Sequence, residues 1–178
     1  LRHKIVEHYD RWYGSKIHQD NVAITSGASG AFVLSLLAAF DVGDEIAIMT
    51  PYYPAYINTL KALGLKINLL KGNVSNGFQP TLKILKEIKS NFKGLVIASP
   101  ANPTGSIINK EEIVKIAHWC KKKNIKIISD EIYHGIEFES KSDTFFEYNN
   151  NALIINSFSK YFNMTGWRIG WIVAPKKL

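Results

Sequence analysis

Short apolar runs and helix-patterned stretches take turns along almost the whole chain, and this alternation restricts the fold more than any other feature. The runs are NVAIT (21–25), EIAIM (45–49), KINLL (66–70), GLVIAS (94–99), IKIIS (125–129), ALIIN (152–156) and RIGWIVA (168–174). Between them lie helical patterns at 30–40, from Ala55 to Leu63, from Leu82 to Phe92 and from Lys110 to Lys122. An opening helix, with Leu1, Ile5, Val6, Tyr9, Trp12 and Tyr13 on one face, is stopped by Gly14. Strand and helix in alternation specify an α/β layered domain with a mostly parallel sheet. Because the strands read as continuous apolar runs, helices are expected on both faces of the sheet. The polar segment 139–151, ESKSDTFFEYNNN, is expected to be a surface excursion with at most a turn of helix.

At 178 residues and 46% hydrophobic content, the chain suffices for one core and one domain. The net charge of +7 is spread out, and its densest run, Lys121 to Lys123, closes a helix, where cations favour the macrodipole. Nucleic acid is therefore not the expected partner. A single cysteine, Cys120, leaves no internal disulfide or cysteine zinc site and fits a reducing compartment, so the cytoplasm is the expected location. No apolar run reaches the roughly 20 residues of a membrane span, so no membrane partner is expected. His3, His8, His18, His118 and His134 lack metal-ligand spacing, and no metal is expected.

In parallel sheets ligands collect beyond the carboxyl ends of the strands, so the residues that follow each run carry the functional reading. After NVAIT comes SGASGAF, a small-residue turn entering a helix, with the N–H groups of Gly27, Ala28 and Ser29 pointing outward. It reads as an anion site or as an ordinary helix capped by serine. After EIAIM comes TPYYPAY, in which prolines stiffen a loop carrying Tyr52, Tyr53 and Tyr56; a tyrosine there stacks on a flat ligand or packs the helix start. After GLVIAS comes PANPTG, with Asn102 at the strand end, either facing a ligand or satisfying its own turn. After IKIIS comes DEIYHG. Its Asp130 should be buried and so needs a cation, which a nearby lysine or arginine or the protonated ring nitrogen of a cofactor would supply. After ALIIN comes SFSKYFNMTGWRIGW, where Lys160 is flanked by residues apolar enough to bury it. A buried ammonium must be neutral, paired or covalently engaged.

In order and together, SGASGA, PYYPAY, NPTG, DEIYHG and SFSKYFNMTGWRIGW resemble the fold-type I, pyridoxal-phosphate-dependent aminotransferases of class I/II, the group that includes aspartate aminotransferases. The resemblance implies a three-layer α/β/α large domain with a mostly parallel central sheet. It implies pyridoxal 5'-phosphate as cofactor and transamination between an amino acid and a 2-oxo acid, with Lys160 forming the Schiff base and then shuttling a proton. Asp130 would pair with the pyridinium nitrogen, Asn102 and Tyr133 would bond the phenolic oxygen, and Tyr53 would stack on the ring. The phosphate would rest on Ala28, Ser29, Ser157 and Arg168. Ser159 is adjacent but is not assigned to the phosphate. Lys160, Asp130 and Tyr133 would carry the catalysis.

By the same resemblance, residues 1–178 are the cofactor-binding large domain without the family's N-terminal arm and C-terminal small domain. The arginine that holds the substrate α-carboxylate and a tyrosine lent across the subunit interface have no counterpart here, and a homodimer is implied. A C–S β-lyase or a synthase on the same fold, or a catalytically incomplete fragment that binds the cofactor, stays open as an alternative.

Overall fold

The computed structural model describes residues 1–138 and 141–176. Its seven strands are β1 (Val22–Thr25), β2 (Glu45–Thr50), β3 (Lys66–Lys71), β4 (Gly94–Ala98), β5 (Lys126–Asp130), β6 (Leu153–Ser157) and β7 (Gly170–Val173). They form one sheet in the order β1-β7-β6-β5-β4-β2-β3. The pairs β2/β3, β2/β4, β4/β5 and β5/β6 are parallel, and β7 runs antiparallel to both of its neighbours. The mostly parallel sheet expected from the sequence is thus observed.

Six helices accompany it: α1 (Arg2–Tyr13), α2 (Gly27–Ala39), α3 (Pro54–Ala62), α4 (Leu82–Glu87), α5 (Lys110–Lys123) and α6 (Phe145–Tyr148). Successive strand residues point to opposite faces, and the central strands are apolar at both parities. Leu95, Ile97, Ile127, Ile154 and Trp171 pack in a core with Tyr9 of α1, Leu85 of α4, Ile113 and Ile116 of α5 and Phe145 of α6. Val96, Ile128, Leu153, Ile155 and Ile172 pack on the other side with Phe32 and Leu36 of α2 and Ile57 and Leu60 of α3. Three layers result, each apolar side chain so buried contributing about 1.5–3 kcal/mol.

Coverage is incomplete at the edges. Strand β3 is largely open, and Leu69 and Ile24 are exposed, so the expectation of two covered faces holds for the central strands only.

The ends of the helices follow local chemistry. Gly14 ends α1 in the left-handed conformation, its N–H bonding the Asp10 carbonyl at 2.9 Å. Asn109 caps α5, its side chain accepting the Glu112 N–H at 2.9 Å, and Lys121, Lys122 and Lys123 fill its last turn, as expected for a solvated helix end. Three boundaries differ from the sequence reading. Helix α2 begins at Gly27 rather than at 30. Helix α4 stops at Glu87 rather than at Phe92, because Ser90 is tied to Asn68 and to the Glu45 carboxylate and Phe92 turns into the core. Strand β7 begins at Gly170, which leaves Arg168 off the strand. Within the polar excursion, Glu139 and Ser140 lie outside the described residues, and the remainder contains the short α6.

Register places one row of residues at the carboxyl end of the sheet. Ala98 stands beside Asp130, Asp130 beside Ile155, and Ser157 beside Gly170, which in turn faces Thr25. The segments that leave this row build the site.

Candidate active site

A cavity of about 300 Å³ opens above that row, and its walls include Ala28, Ser29, Tyr53, Asn102, Asp130, Tyr133, Lys160 and Arg168. Residues from five separate segments of the sequence therefore converge. Of the residues expected at the site, Ser157 alone is absent from the walls. It is buried, and its Oγ accepts the Ser159 N–H at 3.1 Å. Ser159, which the sequence reading left unassigned, does line the cavity.

Asp130 closes β5 at 9% exposure. Its Oδ1 accepts the Ile132 N–H at 3.1 Å and its Oδ2 accepts the Tyr56 hydroxyl at 2.5 Å. Burial pushes its carboxyl above the usual carboxylate range, while the Tyr56 hydroxyl and the Ile132 amide draw it part of the way back. Among the described residues, no lysine, arginine or histidine nitrogen stands within 4.0 Å of it. Its required cation is not a neighbouring side chain, and its unused lone pairs belong to a wall of the cavity.

At another corner of the cavity, the chain meets an anion's needs. Ser26 precedes α2 but makes no side-chain cap bond, so the reading of an ordinary serine-capped helix does not hold. The first N–H groups of a helix have no partner within it, and here they meet Arg168. Arg168 sits in the left-handed region at φ 53°, just after a short 3-10 turn at Thr165–Trp167. Its Nη1 donates to the Thr165 carbonyl at 2.9 Å and to Ser159 Oγ at 3.4 Å. Gly27 and Gly170 make the meeting possible. A Cβ at Gly27, itself at φ 69°, would stand 3.0 Å from Arg168 Cζ, and one at Gly170 would stand 2.6 Å from the Gly27 carbonyl carbon. Gly27 stands in the small-residue turn that reads as an anion site, whereas no spacing or composition marks Gly170.

Asn102 and Tyr133 meet across the remaining wall, with Asn102 Nδ2 donating to Tyr133 Oη at 3.5 Å, the long limit of a hydrogen bond. Burial, and then the charge of Asp130, push the Tyr133 phenol up. Tyr53 is 43% exposed and stands edge-on to the buried Tyr56, with ring centroids 5.6 Å apart. A hollow of about 680 Å³ shares Asn102 and Tyr133 with the cavity; among the described residues its walls carry Glu137 but no cationic side chain.

Lys160 corrects an expectation. It is exposed, because the turn after β6 lifts it clear of the buried strand, and Tyr161 and Phe162 beside it are partly exposed as well. Its Nζ lies 5.7 Å from the centre of the Tyr133 ring, on the cavity side. The amine is therefore free to react rather than buried.

These features fit pyridoxal phosphate at three points. A buried carboxylate without a cation suits a ring N–H⁺. Uncapped helix N–H groups beside a guanidinium suit a phosphate dianion, and an exposed amine suits an aldehyde.

Comparison with known proteins agrees. Residues 1–178 match the family described as aminotransferase class I and II. The chain is 44% identical over its full length to a valine–pyruvate aminotransferase of Mycobacterium tuberculosis, covering 46% of that protein. It is 36% identical to an aspartate aminotransferase of Sulfurisphaera tokodaii, again over its full length and 46% of the relative. A crystal structure of an aminotransferase from Mycobacterium tuberculosis superposes with a TM-score of 0.96 at 44% identity, over 99% of this chain and 46% of that one. The Thermus thermophilus aspartate aminotransferase with maleate superposes at 0.92 and 28% identity, over 99% of this chain and 47% of that one. The chain thus spans about half the length of the curated relatives it matches. By family match, fold and site chemistry alike, it belongs to the class I and II aminotransferases, which are pyridoxal-phosphate-dependent enzymes.

Proposed function

We propose that this chain is the cofactor-bearing large domain of an aminotransferase that moves an amino group from an amino acid to a 2-oxo acid. One observation carries the reading: a buried carboxylate without a cation, an exposed lysine and an anion corner line the same cavity. The relatives named above are all aminotransferases, which supports transamination over the lyase and synthase alternatives. The Mycobacterium tuberculosis relative is named for valine and pyruvate, so a neutral aliphatic amino acid with a small 2-oxo acid is the first pair to try.

When bound, pyridoxal phosphate supplies a conjugated ring that takes up the electron pair released at the substrate α-carbon. Asp130 holds the proton on the ring nitrogen, which is the work its unpaired lone pairs are free to do. Lys160 would be the attachment point, and its amine would be placed to take the proton from the α-carbon. Asn102 and Tyr133 would donate to the phenolic oxygen, and Tyr53 would supply a wall against the ring. The first turn of α2, Arg168 and Ser159 hold the phosphate, and Ser157 supports Ser159 from beneath.

A homodimer is part of this reading, supported by the exposed apolar face of α2, where Leu34 and Leu37 are turned outward. A cytoplasmic location is also proposed, supported by the single, buried Cys120. Borohydride reduction of the full-length protein with pyridoxal phosphate, followed by peptide mapping, tests the reading: the label should fall on Lys160. A label on another lysine would overturn the assignment. Transfer to a 2-oxo acid without ammonia release separates transamination from elimination.

A further inference from the structure

Tyr56 belongs to the first turn of α3 and follows Tyr53 by three positions, so the two rings lie one above the other on the cavity side of the helix. Tyr53 is half-exposed, whereas Tyr56 is 6% exposed and packs against Phe32 of α2, with centroids 5.0 Å apart. Packing accounts for its ring. It does not account for a hydroxyl placed 2.5 Å from Asp130 Oδ2.

We propose that Tyr56 is a positioning residue of the site, its hydroxyl holding the Asp130 carboxylate charged and turned so that its free lone pairs face the cofactor's ring nitrogen. The inference rests on the pyridoxal phosphate reading above for what Asp130 faces. A carboxylate offers about four acceptor positions. The Ile132 N–H takes one on Oδ1 and Tyr56 takes one on Oδ2, which fixes the plane of the group and leaves the others open.

The direction of the bond follows from the surroundings. Burial and the Asp130 charge push the Tyr56 phenol well above its usual value, so it keeps its proton and acts as a donor. The other titratable or charged groups around Asp130 are Tyr53 at the start of α3, Tyr133 and Glu131 on its own segment, and Lys160 and Arg168 from the segment after β6. None of these is hydrogen-bonded to the carboxylate, so Tyr56 is the side chain that opposes its neutralisation by burial.

The test uses the full-length protein without cofactor, with Asp130 followed by its infrared carboxyl band, identified as the band lost in Asp130→Asn. Tyr56→Phe keeps the ring and removes the hydroxyl. The midpoint at which the band titrates should rise by about one pH unit, the size expected for a hydrogen bond to a charged group. Pyridoxal phosphate should then bind the variant about tenfold more weakly near neutral pH. Replacing Tyr56 with 3-fluorotyrosine, a stronger donor of nearly the same shape, should move the midpoint the other way and covers the case in which Tyr56→Phe does not fold. An unmoved midpoint in a folded Tyr56→Phe protein, or in the fluorotyrosine protein, would overturn the proposal. Failure of the wild-type protein to bind pyridoxal phosphate would overturn the cofactor reading and leave the infrared result standing.

Discussion

The guanidinium of Arg168 rests on the bare Cα of Gly27, closely enough that any side chain at position 27 would displace it. Two segments from opposite ends of the chain thus form one anion corner, and the absence of a Cβ is what lets them meet. Gly27 is also held at φ 69°, which side chains other than glycine's rarely adopt.

Gly27→Ala should therefore carry two penalties. Backbone strain alone costs about 1–2 kcal/mol. Gly14, at the same φ of 69° and with nothing within 4 Å of a built Cβ, isolates that part. In denaturant unfolding the two alanine variants should lose stability, Gly27→Ala the more. Calorimetry with inorganic phosphate should show weakened binding for Gly27→Ala only.

Arg168→Lys should keep the charge and lose the fork. The guanidinium now donates to the Thr165 carbonyl and to Ser159 Oγ while facing the start of α2, an arrangement a single ammonium cannot reproduce. Affinity for pyridoxal phosphate should fall about tenfold, read by equilibrium titration, with little change in unfolding midpoint.

Asp130→Asn should separate stability from chemistry. The folded protein holds this carboxyl above its unfolded value, so the wild-type group withdraws stability as pH rises. An amide removes that loss, and the cofactor-free variant should be the more stable at pH 8. The variant should nonetheless slow the half-reaction with amino acid about 100-fold or more in stopped-flow measurements, since an amide cannot hold the ring proton by charge.

A buried group outside the site should govern the pH dependence of stability. Glu131 Oε1 accepts from Ser129, Thr144 and the Phe145 N–H, while Oε2 has no hydrogen-bond partner among the described residues and lies 3.7 Å from His134 Nδ1, and burial pushes its carboxyl up to about 8. Its folded value lies above its unfolded one, so its contribution is lost as pH rises from about 4.5 to about 8. His134 is buried neutral, its Nε2 on the Ser99 carbonyl and its Nδ1 accepting from Tyr13, and burial draws it down to about 4. That contribution is lost in the opposite sense, as pH falls from 6.5 to about 4. The two oppose each other between about 4.5 and 6.5, and the net fall should appear between 6.5 and 8. Thermal melts should show the wild type losing stability across that upper window, and Glu131→Gln should flatten the curve.

The alternation of apolar runs and helical patterns determined the layered fold and the sheet, because burial on both faces demands side chains apolar at both parities. It also placed the turns after the strands at one end, where Tyr53, Asn102, Asp130 and Lys160 stand out, and the resemblance to the aminotransferases added Tyr133 and Arg168 and a role for each. What the sequence could not decide was which side chains meet. Tyr56 reaches Asp130 from 74 residues away, and its role depends on the pitch of α3 over β5, which no local spacing encodes. Gly27 and Gly170 are ordinary small residues until β7 returns antiparallel beneath the start of α2. Lys160 was expected to be buried from its apolar neighbours, yet the turn after β6 exposes it. Burial is a property of how segments pack over one another, and only the tertiary structure fixes that.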